Sequence, residues 1–460
     1  MENTTAVRTR SVCTIRRSCH KLACVFFGLV LACGVVWAAD ETQWSQQLAA
    51  ELAELEAQGI PLTIAEVPPR DVPDEQNAAA VYMQVFHVHW DTEQRRTGDQ
   101  EIGGISGEEA TMVADYLNPE NREFIAAAVH ELFDRTQVQS AIKALRIVSL
   151  MPHAVFPVNW DEGLGALFPH LTKFRQATRL VLAYALMLHD QGQTDEALEW
   201  CRVNFRMSQH AASEPTFIAQ LLGMAMQQMT LETVEEIIAN QPLEAATATS
   251  FADFLGEVDL REAYTRAIIG EMTLGRFVFE QLRHYPAAGR EIAASFFGDR
   301  HSDLQKYCSE AGRSLREFDE LVYLRAMRLW IEASELPSRE AEAVWDQVQT
   351  EINVAGPDAI LTSTLVPALA LDRMATKIDL AQARIDVARI AFALKAHKHI
   401  HGAYPEDLAE LQKGLSWQLP KDVFTGEDYA YKIDAEGFVL YSEARDDLEG
   451  LLPVEWTANK

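Results

Sequence analysis

A mainly α-helical fold, a repeat-like helical-hairpin array closed by a small C-terminal α+β module, is predicted by three observations. Apolar residues recur at spacings of three and four over much of the chain. Gly and Pro mark the ends of several such stretches, as helix stops do. Only one late stretch, "KDVFTGEDYAYKIDAEGFVLYS" from Lys421 to Ser442, alternates with the period of two that strands require. The 460 residues leave room for about two to three domains.

The first forty residues read as an export signal. Arg8, Arg10, Arg16, Arg17 and Lys21 precede the uncharged run Leu22–Ala39, "LACVFFGLVLACGVVWAA". A basic segment, an apolar segment and small residues at its end define a secretory leader, with cleavage expected after Ala38. The same run is long enough to stay in place as a membrane anchor, residues 22–39. Residues 1–38 are therefore assigned as signal peptide or anchor, and the chain as periplasmic or extracellular. The net charge of −28 excludes nucleic-acid binding, which needs clustered Lys and Arg to displace counterions. Contact with a membrane is expected only through the N-terminal segment.

Residues 39–170 form an N-terminal helical region. Trp44, Leu48, Leu52 and Leu55 share one face of a helix over 42–57, which Gly59 and Pro61 end. "VPPRDVPDEQ" is a connector, and "NAAAVYMQVFHVHW" resumes a helical pattern. The polar, Gly-containing "DTEQRRTGDQEIGGISG" predicts a mobile loop near 91–107.

Residues 171–366 form a helical-hairpin domain. "ATRLVLAYALMLHDQGQ" ends at Gly192, Thr194 caps "DEALEWCRVNFRMSQHA", and a third helix runs from Ser213-Glu214-Pro215 to about Ile238. Ala185, Gly192 and Ala197 stand where close helix packing needs small side chains, and with them the segment resembles a tetratricopeptide repeat. That resemblance implies a protein-binding helical array.

Residues 367–460 form the C-terminal module. Between Pro367 and Gly402 the sequence predicts one long helix carrying Ile378, Ala381, Ile385, Ala388 and Phe392, about 45–50 Å long. A hairpin follows, with Tyr429, Tyr431 and Ile433 on one face and Phe438, Leu440 and Ser442 alternating against Val439 and Tyr441. A lone hairpin is marginal in water, so the long helix is its expected support. The long helix, "HGAYPEDLAEL", the run Asp422, Phe424, Gly426, Tyr429-Ala430-Tyr431, and "GFVLYS" together resemble the globular head of type II secretion major pseudopilins. "DVPDEQNAAAVYMQVF" and "GEMTLGRF" further resemble a group of exported bacterial proteins that carry this tail. The pseudopilin likeness implies calcium ligation at Asp446 and Asp447. Pilus entry is not implied, because the pseudopilin processing site has no counterpart here. Calcium takes six to eight oxygens, so these two residues are calcium ligands only if others join them; otherwise they are solvated loop acids. Chelation with EDTA would lower the melting temperature of a chain that uses them.

Other chemistry-bearing residues point to structure. His397 and His401 share a helix face at a zinc-compatible spacing, but a cation also suits a helix C-terminus. His87 and His89 have H-x-H spacing without a second cluster, and His130-Glu131 lacks a second histidine. Cys201 and Cys308 are too few for a disulfide framework. No catalytic residue, cofactor-binding motif or resident cofactor is expected. The expected function is that of an exported, non-enzymatic interaction or structural protein that binds an envelope or extracellular protein. The alternatives are an exported hydrolase whose carboxylates or histidines converge only in space, and a calcium-stabilised structural module.

Overall fold

The computed structural model describes residues 43–69, 71–88, 102–239, 243–285, 290–291, 294, 301–433, 437–442 and 454–458. The leader, the N-terminal part of the expected mobile loop (91–101), His89, Asp446 and Asp447 lie outside the described residues. As the apolar periodicity predicts, the described chain is mainly α-helical, with a small α+β module at its C-terminus.

In chain order the helices are α1 (43–57), α2 (Ala79–Phe86), α3 (Gly107–Tyr116), α4 (Pro119–Phe133) and α5 (Thr136–Val148). There follow α6 (Pro169–Asp190), α7 (Thr194–Ala211), α8 (Phe217–Ala239), α9 (Ala245–Leu255) and α10 (Leu260–His284). The last are α11 (His301–Tyr307), α12 (Arg313–Ala333), α13 (Ser338–Ala355), α14 (Thr362–Leu369), α15 (Leu371–His401) and α16 (Leu408–Lys413). Strands β1 (Ala430–Ile433), β2 (Phe438–Tyr441) and β3 (Glu455–Ala458) form an antiparallel sheet in the order β1-β2-β3.

The chain divides into two units, each assembled from segments distant in sequence. The first comprises Met1–Gly59, Val278–Arg325 and Glu351–Leu365; the second comprises Ile60–Phe277, Ala326–Thr350 and Val366–Lys460.

In the first unit α1 turns Leu48 and Leu55 inward, and Trp44 packs on Phe318 at 4.8 Å between ring centroids. Asp319 is fully buried and holds this unit's polar centre. Its carboxylate accepts hydrogen bonds from Tyr307 Oη (2.8 Å), Leu361 N (2.8 Å) and Thr362 N (3.0 Å), the last two being orphan amides at the start of α14. Burial pushes the Asp319 carboxyl up, and these donors pull it back.

In the second unit α6, α7 and α8 pack as consecutive antiparallel-neighbour hairpins. Ala185 and Ala197 are fully buried at the α6–α7 crossing, and Gly192 turns the chain with φ of 78°. The sequence expectation of a Thr194 cap shifts by one residue. Gln193 is the cap and Thr194 opens the helix. In the stretch expected to be mobile, Ile102–Gly104 forms a 3₁₀ turn against α5, and Ser106 and Glu109 close a capping box that starts α3. The third helix begins at Phe217 rather than at Ser213, leaving Ser213–Thr216 as a turn.

The single helix expected from Pro367 to Gly402 is interrupted. Pro367 lies inside α14, and the break falls at Ala370, which adopts a left-handed φ of 45°. From there α15 runs unbroken for 31 residues, about 46 Å, to Gly402 with φ of 82°. It packs along α9 and α8, stacking Phe392 on Phe251 at 4.5 Å. Lys395 Nζ donates to Ile238 O (2.6 Å) and Ala239 O (3.4 Å), tying α15 to the C-terminal carbonyls of α8. Burial pulls Lys395 down to about 8.

The hairpin's support is fuller than the sequence suggests, because β3 adds a third strand and packs with β2 on α15. Phe438 and Leu440 are fully buried and Ser442 is buried, as the alternation predicts, whereas Ile433 is 48% exposed. Beneath the sheet Tyr429 Oη donates to Asp386 Oδ2 (3.1 Å), and Ser442 Oγ donates to Asp422 Oδ2 (2.8 Å). Burial pushes the Asp386 carboxyl up to about 6. Between the ordinary aspartate value near 3.9 and 6, the folded chain holds a proton that the unfolded chain has released. Stability therefore falls as pH rises through that window. Asp386→Asn removes this dependence: urea melts at pH 4.5 and 7 should show wild type losing about 2 kcal/mol more than the variant over that interval. Parallel losses would contradict the assignment.

Candidate functional site

The second unit carries a trough made of three recesses. The largest, about 830 Å³, lies between the Glu66–Pro69 stretch, the 149–155 connection, the end of α7 and the start of α10. From α7 it takes Arg206, Gln209 and His210, at spacings of three and four on one helix face, and from the turn that follows it takes Ser213. Gln209, Glu262 and Arg266 also line a second recess of about 250 Å³. That recess shares Met224 and Gln227 with a third of about 290 Å³. The third is an apolar slot between α8 and α15, lined by Leu221, Leu231 and Leu380 with Lys377 and Arg384 at its rim. The shared residues place the three recesses next to one another. The first two recesses have mixed to polar linings, and the α8–α15 end is mostly apolar.

The large recess has fixed walls. Asn77 clamps the 153–155 strand-like segment: its Nδ2 donates to Val155 O (3.1 Å) and its Oδ1 accepts from Val155 N (2.9 Å). Ser213 Oγ lies 3.0 Å from Ala154 O and 2.8 Å from His210 O, holding the same wall to the end of α7. His210 is buried between Tyr82 Oη, 2.9 Å from Nδ1, and Met151 O, 2.9 Å from Nε2. A carbonyl can only accept, so Nε2 carries the proton and Nδ1 accepts from Tyr82. Burial pulls His210 down to about 4, so the ring is neutral at pH 7. Behind it His170, fully buried, stacks on Phe156 at 3.9 Å between ring centroids and directs Nε2 toward Glu214 Oε1 at 3.4 Å.

Charges along the trough are mostly answered locally. Arg266 Nη2 pairs with Glu262 at 2.7 Å, Arg206 lies over the Phe254 ring at 5.3 Å, and Arg384 Nη1 donates to Gln228 Oε1 at 2.6 Å. The slot end instead presents apolar surface: Leu221 is 39% exposed and its neighbour Ile218 59%.

The residues singled out from sequence lie elsewhere. The His397 and His401 rings lie 4.3 Å apart at a tilt of 41°, His397 Nδ1 sits 3.1 Å from Ala403 O, and His399 Nε2 is 3.4 Å from Glu244. His87 ends α2 in a left-handed conformation with φ of 51°, and His130 lies edge-on to Tyr116. Cys201 and Cys308 are free thiols, both pushed up by burial. Among the described residues no three His, Cys, Asp or Glu side chains gather as a metal cluster. The trough residues give a sequence signal only as helical stripes on α7 and α8. A stripe does not distinguish a core face from an open one.

The described chain is thus mainly α-helical, with a small C-terminal sheet and a row of adjoining recesses in its second unit. No protein-family model, curated protein or solved structure matches it.

Proposed function

We propose that the chain is an exported, non-enzymatic helical protein that binds an extended segment of an envelope or extracellular protein along this trough. The carrying observation is succession: three recesses, each sharing lining residues with the next, follow one another in place of a single closed cavity. Ligand pockets for small molecules are usually single concave clefts, whereas an extended segment needs a path with successive side-chain seats. The basic-then-apolar leader supports export, and the tetratricopeptide-like and pseudopilin-like readings agree with an interaction role. Among the described residues no helix is long and apolar enough to cross a membrane.

A hydrolytic reading would draw on carboxylates or histidines that line the cavity. Of these, His210 already engages Met151 and Tyr82 through its two nitrogens, so this ring is not available as a general base. Leu221→Glu tests the reading, because it sets a charge in the apolar slot at a half-exposed position. Partner affinity should fall about thirtyfold, equivalent to about 2 kcal/mol, with the melting temperature almost unchanged. Unchanged affinity for the partner would count against the trough.

A further inference from the structure

The large recess contains one carboxylate whose charge is poorly answered. Glu214 stands in the turn between α7 and α8, its side chain 5% exposed, and it lines the cavity. Among the described residues no group donates a hydrogen bond to its Oε1. His170 Nε2 is 3.4 Å away, longer than the roughly 2.8 Å of a charge-assisted hydrogen bond. The neighbouring charges are already engaged: Arg266 with Glu262, Arg206 over Phe254, and Glu66 with the amides of Leu62 and Thr63. A buried carboxylate oxygen without a donor is costly, and a cation brought by a ligand relieves that cost. The net charge of −28 draws such a ligand toward the surface before it docks.

Resting on the binding reading above, we infer that Glu214 is the anchor for a cationic group on the bound segment. The chemistry is that of an ammonium or guanidinium, borne by a lysine or arginine side chain or by a free amino terminus. The segment then lies with its cation at the α7–α10 end and an apolar side chain in the Leu221–Leu380 slot. Its polarity along the trough follows from those two seats.

A random dodecapeptide mixture, passed over the immobilised full chain and read by mass spectrometry, tests this. One arm of the mixture has free amino termini and the other has acetylated ones. Peptides retained by wild type should be enriched in Lys or Arg in both arms if a side chain docks, or retained only in the free arm if a terminus docks. For individual retained peptides, Glu214→Gln should weaken binding at least about tenfold and erase the preference. Glu214→Asp keeps the charge one methylene back and should keep the preference with weaker binding. If Glu214→Gln loses its cooperative melt, the Asp variant carries the test. Retained peptides with no cationic preference, or with a preference that survives Glu214→Gln, would overturn the inference and leave the trough reading standing. Retention by wild type that Leu221→Glu does not reduce, or no retention at all, would overturn both.

Discussion

Gly270→Ala should destabilise the second unit by roughly 3 kcal/mol and weaken binding in the trough, although Ala is the better helix former. A Cβ at residue 270 of α10 would stand 1.8 Å from Pro215 O and 2.7 Å from its carbonyl carbon. Ordinary contacts of a Cβ lie at about 3.5–4 Å, so α10 or the turn must move by more than an ångström. Helix propensity returns only about 1 kcal/mol, and the steric term wins. Pro215 directly follows Glu214, so the displaced turn also displaces the cavity wall. Urea unfolding reads the stability, and peptide retention reads the wall. A variant as stable as wild type would show that this crossing is looser than the geometry requires.

Asp319→Ala is expected to have the largest effect of any single substitution in the first unit, about 4 kcal/mol. It strands Tyr307 Oη and the amides of Leu361 and Thr362 in a buried site and removes the cap of α14. Asp319→Asn keeps an acceptor but replaces one oxygen with a donor facing N–H groups, so it should rescue only part of the loss. Hydrogen exchange should show faster amides at 361 and 362 in both variants, and unchanged protection there would contradict the capping role.

Much of the helical architecture was legible because its signals are local. Gly192 and Gly402 stop helices by adopting left-handed backbone, and the alternation of Phe438, Leu440 and Ser442 foretold the buried sheet face. The break at Ala370 was not legible, since Pro367 reads as the boundary and α14 accommodates it three residues earlier. Strand β3, four residues near the chain end, carries too short a pattern to separate from a loop. The buried acids were invisible for a compositional reason. Among 68 Asp and Glu residues, nothing local marks Asp319, Asp386 or Glu214 as the ones taken from water. The trough depends on α7, α8, α10 and α15 converging from positions as far apart as Arg206 and Arg384, and spacing along the chain records none of that. The histidine-rich end of α15 is conspicuous in composition alone. Its rings lie tilted against each other and meet local backbone and Glu244.

The central claim is that the trough is occupied by a segment of another protein. Its most direct test is a photo-crosslinking residue in place of Met224, which lines both the middle recess and the apolar slot. Irradiation of cells producing the full chain should yield one discrete adduct with an exported polypeptide. Peptide mapping should place the crosslink within a single short stretch of that partner, and Leu221→Glu in the same chain should abolish it. A diffuse set of adducts matching that from an exposed control position such as Phe124, 86% exposed, or an adduct indifferent to Leu221→Glu, would contradict the account.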